Sequence, residues 1–445
     1  MASTYLSKTI TPSNYNRRKF TLSAWVKKAE DGSHAYPILG FHGSSDYTMI
    51  RVDASSAVEF ICYQSSSVVA RKQTNMKLRD SFGWYHVVVA VDTDNGTASN
   101  RNRIYVNGEE QTSWAIDTNA SSGLDLINNN QTNFDIGSGV DQDSNRGYFS
   151  GILSHVHYCE GYQYSASDFG ETDTTTGEWK IKTSPSVSYG TNGFFILKDG
   201  NSGTDQSGNS NNWSVAGGTL TNTEDCPSNV FATWNSLAGT DLPNGGFSNG
   251  NTTATQGGNS TWTGAISNLG ISSGKFYCEI KWTGQYATFG FLTSSEINLL
   301  GEIGQTGKTS YGLYYNGDLF VCENGSNVSV SGYGSAISSG SIVQLAIDKD
   351  NNKLYWGING TWQNSANPST GTNGRSIAYL TDEFWHFAVD QRKDSGNGTM
   401  EANFGNGYFG TTAVSSAGTN ASGIGIFEYD VPTGYTALST KGLNE

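Results

Sequence analysis

Long apolar runs are missing from this sequence. No stretch approaches the roughly 18 consecutive apolar residues of a membrane-spanning helix. The opening MASTYLSKTITPSNYNRRKF lacks the apolar core of a signal peptide, and apolar residues nowhere recur at helical spacing over several turns. These absences argue against membrane insertion, secretion and a helical fold. We expect a chain that is made in a cytoplasm and stays soluble.

Proline and cysteine are also scarce. The 7 prolines are few for a loop-rich chain, which argues against a disordered low-complexity protein. The 5 cysteines are widely spaced and form no Cys-x-x-Cys pair. We therefore expect buried thiols rather than a disulfide framework or a zinc site.

Basic residues are outnumbered by acidic ones. The chain has 26 Lys and Arg against 40 Asp and Glu, for a net charge of −14. Such a chain repels phosphate backbones and anionic membrane surfaces. The composition predicts neither a nucleic-acid partner nor a membrane partner.

Glycine and aromatic residues are abundant, with 55 Gly and 12% aromatics in 445 residues. Short strands joined by Gly and Asn turns produce this mixture, and the length calls for more than one domain. FTLSAWVKK (20–28) alternates like a half-buried strand, whereas WYHVVVAVD (84–92) predicts a strand covered on both faces. We predict an all-β chain with two antiparallel β-sandwich (jelly-roll) domains, residues 1–170 and 236–445, joined by a β-containing connector over 171–235.

One phrase occurs twice. VAVDTDNGTASNRNRIYVNGEEQTSW (89–114) and LAIDKDNNKLYWGINGTWQN (345–364) each contain an apolar run, an acidic turn and an Asn-Gly. Asn-Gly between strand-like segments is the strongest short hairpin signal. We expect a central strand, a turn and a hairpin in each half, explained by shared geometry rather than by recent duplication.

The strand motifs of the first 170 residues resemble a known fold. An early A-W-V strand is followed by W-Y-H-V-V-V, I-Y-V-N-G (104–108) and F-S-G-I-L-S-H-V (149–156). This order resembles the concanavalin A-like laminin-G (LamG) jelly roll. The resemblance implies a sandwich that serves lectins, adhesion modules and glycosidases alike, so it points to fold more than to function.

A second resemblance covers about residues 235–440. GKFYCEIKW (274–282), ATFGFLTS (287–294), SYGLYYNGDLFV (310–321), FWHFAVD (384–390) and ANFGNGYF (402–409) occur in this order. The succession resembles the SPRY domain. SPRY domains are binding sandwiches, which implies a module without catalytic chemistry of its own.

The connector contains GFFILKD (193–199), whose four apolar residues in a row predict a strand that packs on one sandwich or extends its sheet. The phrase YGTNGFFILKD…DQSGNSNNW…DCPSNVFATWN resembles connectors in tail-fibre-like proteins of marine bacteriophages. The ending YDVPTGYTALST (429–440) is similar to segments that follow SPRY domains in bacteriophage proteins.

Aromatic residues near turns are candidates for carbohydrate contact. An aromatic ring stacks on the apolar C–H face of a sugar while neighbouring amides and acids bind its hydroxyls. The candidates, all in turn-rich surroundings, are Trp114, Tyr148, Tyr286 and Trp362. Four others are assigned to the cores: Trp25, Trp84, Phe276 and Trp356.

Calcium is the favoured metal. Asp141, Asp143 and Asn145 alternate in a Gly-bounded loop, as hard oxygen-seeking cations require, and the LamG resemblance implies calcium at such a rim. The interpretation we favour is nevertheless a solvated acidic loop without a cofactor, and calcium is the alternative. His155 and His157 lie two residues apart, but we expect hydrogen-bonded sheet histidines there rather than metal ligands.

No catalytic residue is predicted. A glycosidase needs two carboxylates that converge across a cleft, and the E-x-D-x-x-E phrase of concanavalin-like glucanases is absent. Glu109 and Glu110 are adjacent after an Asn-Gly turn, which indicates a solvated hairpin end.

These features predict a non-enzymatic protein of the bacteriophage virion surface, a tail fibre, knob or head fibre that binds host cell-surface glycans. Its expected partners are other virion proteins and copies of itself, with a trimer favoured. Two alternatives stay open: a capsid or tail decoration protein that binds other virion proteins, and a polysaccharide depolymerase.

Overall fold

The computed structural model describes residues 4–9, 16–28, 36–43, 46–80, 83–126, 133–141, 143, 145–198, 203–238, 246–296, 303–304 and 309–444. The chain divides into two compact units. Unit 1 comprises Met1–Asn222 and Cys226–Ser228, and unit 2 comprises Thr223–Asp225 and Asn229–Glu445.

The described part of unit 1 consists of short strands, with single turns of 3-10 helix at Ala98–Asn100 and Ala166–Asp168. The strands are β1 (Tyr5–Thr9), β2 (Lys19–Lys28), β3 (Tyr36–His42), β4 (Tyr47–Val52), β5 (Ala57–Gln64), β6 (Ser67–Lys77), β7 (Tyr85–Asp92), β8 (Asn102–Val106), β9 (Glu109–Glu110), β10 (Trp114–Thr118), β11 (Asn133–Ile136), β12 (Ser138–Val140), β13 (Arg146–Tyr148), β14 (Gly151–Glu160), β15 (Gly170–Thr172), β16 (Trp179–Ile181), β17 (Phe194–Ile196) and β18 (Ser214–Gly217).

Two antiparallel sheets form the sandwich of unit 1. The strand order is β10-β6-β5-β4-β3-β11-β1-β18 in the first sheet and β17-β14-β2-β7-β8-β9 in the second. Alternate residues of each strand fill the space between the sheets, such as Leu22 of β2, Val89 of β7 and Phe60 of β5, all fully buried. This alternation is what a two-sheet fold requires.

A cap of residues 160–190 covers the outer face of the second sheet. The outward Thr21 accepts a hydrogen bond from the Tyr164 backbone N–H (2.8 Å) and donates to the Tyr162 carbonyl (2.8 Å). Beneath the cap, Val88 and Ala90 of β7 are fully buried. The prediction that β7 is covered on both faces is confirmed. The prediction that β2 is half-buried is wrong, because the cap also buries its polar face.

Strands from the segment 171–235 complete the sheets of unit 1. β17 pairs antiparallel with β14, and β18 pairs with β1. Phe194 and Trp213 are buried in the sandwich core beside Phe134. The apolar run GFFILKD thus extends a sheet, as its composition indicates.

Unit 2 has 3-10 turns at Ser294–Glu296, Pro368–Thr370 and Gly442–Asn444. Its strands are β19 (Gly246–Ser248), β20 (Thr253–Gln256), β21 (Asn259–Ile266), β22 (Lys275–Thr283), β23 (Tyr286–Thr293), β24 (Ser310–Tyr314), β25 (Leu319–Glu323), β26 (Ser326–Val330), β27 (Ile342–Asp348), β28 (Lys353–Ile358), β29 (Thr361–Trp362), β30 (Arg375–Ser376), β31 (Trp385–Lys393), β32 (Gly398–Asn403), β33 (Tyr408–Phe409), β34 (Thr412–Ala413) and β35 (Thr436–Ala437).

Unit 2 is also a sandwich. One sheet has the order β19-β20-β32-β22-β27-β28-β29, with β30 beside β28 and β35 beside β22, and the other has the order β21-β31-β23-β24-β25-β26. The all-β fold class is confirmed. Among the described residues, no helix has the length and apolar character needed to span a bilayer.

The repeated phrase forms the same structure in both units. β7, β8 and β9 in unit 1 correspond to β27, β28 and β29 in unit 2. In both units consecutive strands of the three pair antiparallel. At the Asn-Gly turns, φ is 47° and 87° for Asn107 and Gly108, and 47° and 84° for Asn359 and Gly360. Positive φ at both positions is the geometry that Asn-Gly favours, so the hairpin prediction is confirmed.

Three of the four aromatic residues assigned to the cores are buried: Trp25, Phe276 and Trp356. The assignment of Trp84 is wrong, because it lies before the first residue of β7 and is only half-buried. All five cysteines are buried and none forms a disulfide, as predicted.

A buried carboxylate fixes the C-terminal segment, residues 415–444, to the outer face of β22. Glu279 is fully buried and accepts hydrogen bonds from the backbone N–H groups of Glu428 (2.9 Å) and Tyr429 (2.8 Å). The Tyr277 hydroxyl (2.9 Å) and the Asn403 side-chain amide (3.4 Å) donate to the same carboxylate. Four donors therefore converge on one side chain.

We expect the free energy of unfolding to depend on pH through the ionisation of Glu279. Burial raises the pKa of Glu279 to about 7, although the hydrogen bonds from Glu428 and Tyr429 act to lower it. Because the folded state binds this proton more tightly than the unfolded chain does, Glu279 stabilises the fold fully below its ordinary pKa of 4.5. That contribution, about 3 kcal/mol at most, is lost as pH rises to about 7.

Urea unfolding of wild type and Glu279→Gln between pH 4.5 and 7.5 measures this contribution, because other titrating groups cancel in the difference. We expect the stability advantage of the wild type to shrink as pH rises. An advantage that stays constant or grows with pH would contradict the assignment.

Candidate functional site

Two sequence candidates, Tyr148 and the acidic loop at 141–145, lie on one hairpin of unit 1. β12 and β13 pair antiparallel, and this hairpin packs on the outer face of the first sheet over β3 and β4. Close approach requires glycine there, since a Cβ at Gly40 would lie 2.8 Å from the Cα of Gly139. A Cβ at Gly139 would in turn lie 2.8 Å from the Met49 methyl carbon. The two glycines therefore let the hairpin sit directly on the sheet.

The hairpin and β1 together present an aromatic and cationic surface. The guanidinium carbon of Arg146 lies 4.6 Å from the centroid of the Tyr5 ring, a cation–π contact. The ring centroids of Tyr5 and Tyr148 are 5.9 Å apart. All three side chains are half-buried, so each keeps part of its surface in water. We call these residues, together with the described loop residues Asp141, Asp143 and Asn145, the hairpin site.

Arg146 is held in place by a buried acidic residue beneath it. Its Nη1 donates to Asp135 Oδ2 and to Ser138 Oγ (2.8 Å), and Asp135 also contacts His42 Nε2 (3.0 Å). Burial alone would raise the pKa of Asp135, but hydrogen bonds from His42, Ser7 and Arg146 hold it below its ordinary value. Asp135 is therefore an ionised anchor that fixes the orientation of Arg146.

The acidic loop is closed by its first residue. Asp141 Oδ1 accepts hydrogen bonds from the backbone N–H groups of Asp143 (3.0 Å) and Asn145 (2.9 Å). Gln142 and Ser144 lie outside the described residues. Asp143 and Asn145 are exposed. Within the described part of the chain no group of three or more His, Cys, Asp or Glu is placed to hold a metal, and calcium at this loop stays a prediction.

Trp114 lies on an edge strand of the same sheet. It is on β10, four strands from β3, which corresponds to about 19 Å at ordinary strand spacing. Its ring packs against the core, and Lys72 Nζ lies 4.2 Å from the ring centroid and 3.1 Å from Asp117 Oδ1. The structure therefore does not bring Trp114 to the hairpin site.

Tyr286 and Trp362 are half-buried residues of unit 2. Tyr286 contacts Tyr315 edge to face at 5.3 Å, and the Arg392 guanidinium lies 5.6 Å from its ring. Trp362 packs against the small apolar cluster that includes Tyr277, with ring centroids 6.3 Å apart. Each has aromatic neighbours of its own, and their role in carbohydrate contact stays a prediction.

The histidines of β14 are buried under the cap. Both rings pack near Phe195, with centroid distances of 5.7 Å for His155 and 3.9 Å for His157. His155 Nδ1 is 2.8 Å from Ser154 Oγ, and His157 Nδ1 is 2.9 Å from the Tyr189 hydroxyl. Burial lowers the pKa of His157 well below its ordinary value, so its ring is neutral at neutral pH. The hydrogen bonds agree with the predicted role as sheet histidines.

His86 occupies a stack of three rings under the same cap. It lies between Trp25 (4.9 Å) and Trp179 (6.0 Å), and the Trp179 indole N–H donates to its Nδ1 (3.1 Å). Its Nε2 lies 2.8 Å from Ser23 Oγ. Burial lowers the pKa of His86 to about 3, so it is a neutral packing residue.

The adjacent glutamates are placed as predicted for a solvated hairpin end. Glu109 and Glu110 are both exposed, and Glu110 accepts a hydrogen bond from Arg103 Nε at 2.8 Å.

Unit 2 contains a cavity of about 530 Å³ that sequence reasoning missed. The cavity lies between the end of β26 and the loop that leads into β30. Its lining residues are Leu319, Val330, Tyr333, Asn364, Asn373, Gly374, Arg375, Ser376 and Ala378. A signal was present in the sequence: Arg375 is the only arginine between Arg146 and Arg392, and it sits in a Gly- and Asn-rich loop.

The N-terminal strands match a known family. Residues 3–161 match the profile of Laminin_G_3, described as the concanavalin A-like lectin/glucanases superfamily. Unit 1 is built on a concanavalin A-like jelly roll. No curated protein sequence matches the chain.

Solved structures with a similar fold include two SPRY-type domains and a pentraxin. The SPRY domain of human HERC1 is 13% identical over 38% of this chain and 96% of that chain, with a TM-score of 0.27. The TRIM65 PSpry domain is 14% identical, and the match covers 38% of this chain and 87% of that chain with a TM-score of 0.28. The native heptameric SAP-like pentraxin from Limulus polyphemus is 15% identical, and the match covers 35% of this chain and 70% of that chain with a TM-score of 0.26. Likeness at this level says nothing about what this chain binds, and the SPRY resemblance of unit 2 rests on its sequence motifs.

Proposed function

We propose that this chain is a non-enzymatic protein of a bacteriophage virion surface, a tail fibre, knob or head fibre, that attaches the particle to host-surface glycans. The observation that carries the proposal is the hairpin site on the concanavalin A-like jelly roll. There Tyr5, Arg146 and Tyr148 form a half-exposed surface beside a loop rich in oxygen ligands.

The hairpin site has the chemistry that a sugar requires. The ring of Tyr148 offers an apolar face to sugar C–H groups, while the Arg146 guanidinium donates to ring or hydroxyl oxygens. Because Asp135 fixes Arg146 from below, little side-chain entropy is lost when a sugar binds. Calcium in the 141–145 loop would add a cation that binds sugar hydroxyls or orders the loop.

The acidic residues of the site favour binding over cleavage. A glycosidase needs one carboxyl group free to donate a proton and a second free to attack or to activate water. Asp135 is 1% exposed and is occupied by Arg146 and His42, and Asp141 accepts two backbone hydrogen bonds. The second candidate, a polysaccharide depolymerase, is favoured by one observation, the inclusion of glucanases in the matched superfamily.

The virion setting rests on the resemblance of the connector and the C-terminal segment to bacteriophage tail-fibre-like proteins. We propose that other virion proteins hold the chain on the particle and that it assembles as a homo-oligomer, most simply a trimer. Several copies that bind one surface multiply weak individual sugar contacts.

Tyr148→Ala should weaken glycan binding about tenfold, because loss of a stacking ring costs roughly 1.4 kcal/mol. The measurement is binding of purified protein to host capsule or lipopolysaccharide fragments, with and without calcium. Tyr162→Ala is the matched control, because Tyr162 is a 41% exposed tyrosine of the same unit that stacks on Tyr164.

Equal loss in both variants, or full binding by Tyr148→Ala, would contradict the hairpin site. Failure of the wild type to bind any host glycan, with or without calcium, would favour the decoration-protein alternative instead.

A further inference from the structure

Arg375 is the cationic group of the unit 2 cavity, and it forms no ion pair with any acid among the residues that the structure describes. Eight of the ten arginines hydrogen-bond a carboxylate or a carbonyl oxygen: Arg17, Arg18, Arg51, Arg71, Arg101, Arg103, Arg146 and Arg392. Arg79 is exposed to water. Arg375 is half-buried, and its Nε is fully buried without a hydrogen-bond partner among the described residues. A buried donor without a partner costs about 1–3 kcal/mol, which a bound acceptor would recover.

The surroundings of Arg375 fit an anion. The described residues that line the cavity include neither Asp nor Glu. Burial raises the pKa of Tyr333 to about 12, although a hydrogen bond with the Asn364 side chain and the charge of Arg375 act to lower it, so the hydroxyl stays protonated beside Arg375 at neutral pH. A guanidinium fork of this kind binds a carboxylate or a phosphate through two parallel hydrogen bonds.

The remaining lining suits a sugar ring. Asn364, Asn373 and Ser376 are exposed polar side chains at the mouth, and Leu319 and Val330 supply an apolar wall. Amides and a hydroxyl bind sugar hydroxyls, while an apolar wall contacts C–H groups. At about 530 Å³ the cavity lies within the usual size of small-molecule sites.

The loop that carries Arg375 is already ordered. Asn373 Nδ2 donates to the carbonyl oxygens of Ser365 (3.1 Å) and Asn364 (3.4 Å), which ties the two ends of the loop together. Arg375 itself pairs with Leu354 in the short ladder between β30 and β28. A ligand would therefore meet a preformed site.

We infer that the unit 2 cavity binds the carboxylate of an acidic sugar, such as a uronic acid, through Arg375. This second site lies in unit 2, separate from the hairpin site. It adds a ligand class to the proposed function and stands whether or not the hairpin site binds a glycan. The net charge of −14 opposes long polyanions at a distance, but at physiological salt that repulsion is screened beyond about 8 Å, so a terminal acidic sugar can reach the cavity.

Titration calorimetry and ligand-observed NMR with D-glucuronate, D-glucose, acetate and inorganic phosphate test the inference on the full chain. We expect glucuronate to bind more tightly than glucose and acetate, and Arg375→Gln to weaken it about tenfold to a hundredfold, since a charge-assisted pair is lost. Arg375→Lys keeps the charge without the fork and should lose affinity by a smaller factor.

Arg79→Gln is the matched control, because it removes an exposed arginine of unit 1 and should leave glucuronate binding unchanged. Tyr148→Ala should also leave it unchanged, which separates this site from the hairpin site. Folding of Arg375→Gln is checked by its thermal midpoint, which we expect to be no lower than that of the wild type, because no side-chain hydrogen bond from Arg375 to a described residue is lost and a buried Nε without a partner is removed.

Three results would overturn the inference: no glucuronate binding by the wild type, glucuronate binding that survives in Arg375→Gln, or glucose binding as tight as that of glucuronate. Phosphate that binds more tightly than glucuronate would overturn the carboxylate assignment in favour of a phosphate site.

Discussion

Glu279→Ala is expected to lower the free energy of unfolding of unit 2 by about 3–5 kcal/mol at pH 5. The reason is that four donors from Tyr277, Asn403, Glu428 and Tyr429 meet on this one side chain. Alanine would remove the side-chain acceptor of the Glu428 and Tyr429 backbone N–H groups and would open a cavity under the C-terminal segment. The loss should be smaller above pH 7, where the wild type itself carries the cost of a buried charge.

Urea unfolding followed by tryptophan fluorescence measures this loss, and limited proteolysis reports whether residues 415–444 become accessible. Asp382→Ala removes an exposed carboxylate of the same unit and should leave both readouts unchanged. A Glu279→Ala protein as stable as the wild type, with a protected C-terminal segment, would show that Glu279 does not hold this segment.

Phe134→Ala should destabilise unit 1 by about 3–5 kcal/mol, the usual cost of deleting a buried phenylalanine ring. The Phe134 ring lies 3.8 Å from Phe41, 4.8 Å from Trp213 and 5.6 Å from Phe194, centroid to centroid. Phe194 and Trp213 come from the segment after the jelly roll. The substitution should therefore loosen β17 and β18 as well as the sandwich core.

Hydrogen exchange over residues 194–217 and urea unfolding together test this expectation. Phe384→Ala is the matched control, since Phe384 is 53% exposed and loses the same atoms. Equal effects of the two substitutions, or unchanged exchange over 194–217, would contradict the role of Phe134 as the residue that holds this segment.

Much of the fold could be predicted from short sequence motifs, because each motif determines the backbone geometry of the few residues it contains. The Asn-Gly hairpins at Asn107 and Asn359 have nearly identical φ angles, as positive-φ turns require. The acidic residue that ends each central strand pairs with a lysine of the neighbouring strand, Lys19 with Asp92 (2.7 Å) and Lys275 with Asp348 (3.1 Å). Shared sandwich geometry therefore accounts for the repeated phrase.

Short motifs did not predict which segments cover the outer faces of the sheets. Thr21 and Ser23 alternate with apolar residues, which is the pattern of a water-facing strand surface, yet both are fully buried by the cap. Whether a polar strand face meets water or another segment depends on contacts distant in sequence. The assignment of Trp84 to the core is wrong for a similar reason, because residue type alone does not determine how deeply a side chain is buried.

The candidate site was predictable in part. Tyr148 and the 141–145 loop were selected separately, and the structure places them on one hairpin. Tyr5 was missed because it is distant in sequence and meets the hairpin only through packing in the folded unit, and Arg146 was missed because its contacts with Tyr5 and Asp135 are visible only in the structure. Arg375 was missed for a different reason: its isolation in a Gly- and Asn-rich segment is a weak sequence signal, and only the structure shows that its buried Nε lacks a partner among the described residues.

The central claim is that the chain binds host glycans without cleaving them. Incubating the purified chain with host-surface polysaccharide, and measuring in one sample the protein retained and the reducing ends formed, tests it most directly. The claim predicts retention that Tyr148→Ala weakens, with no rise in reducing ends. New reducing ends that disappear when an acidic pair is mutated would contradict it and identify a depolymerase.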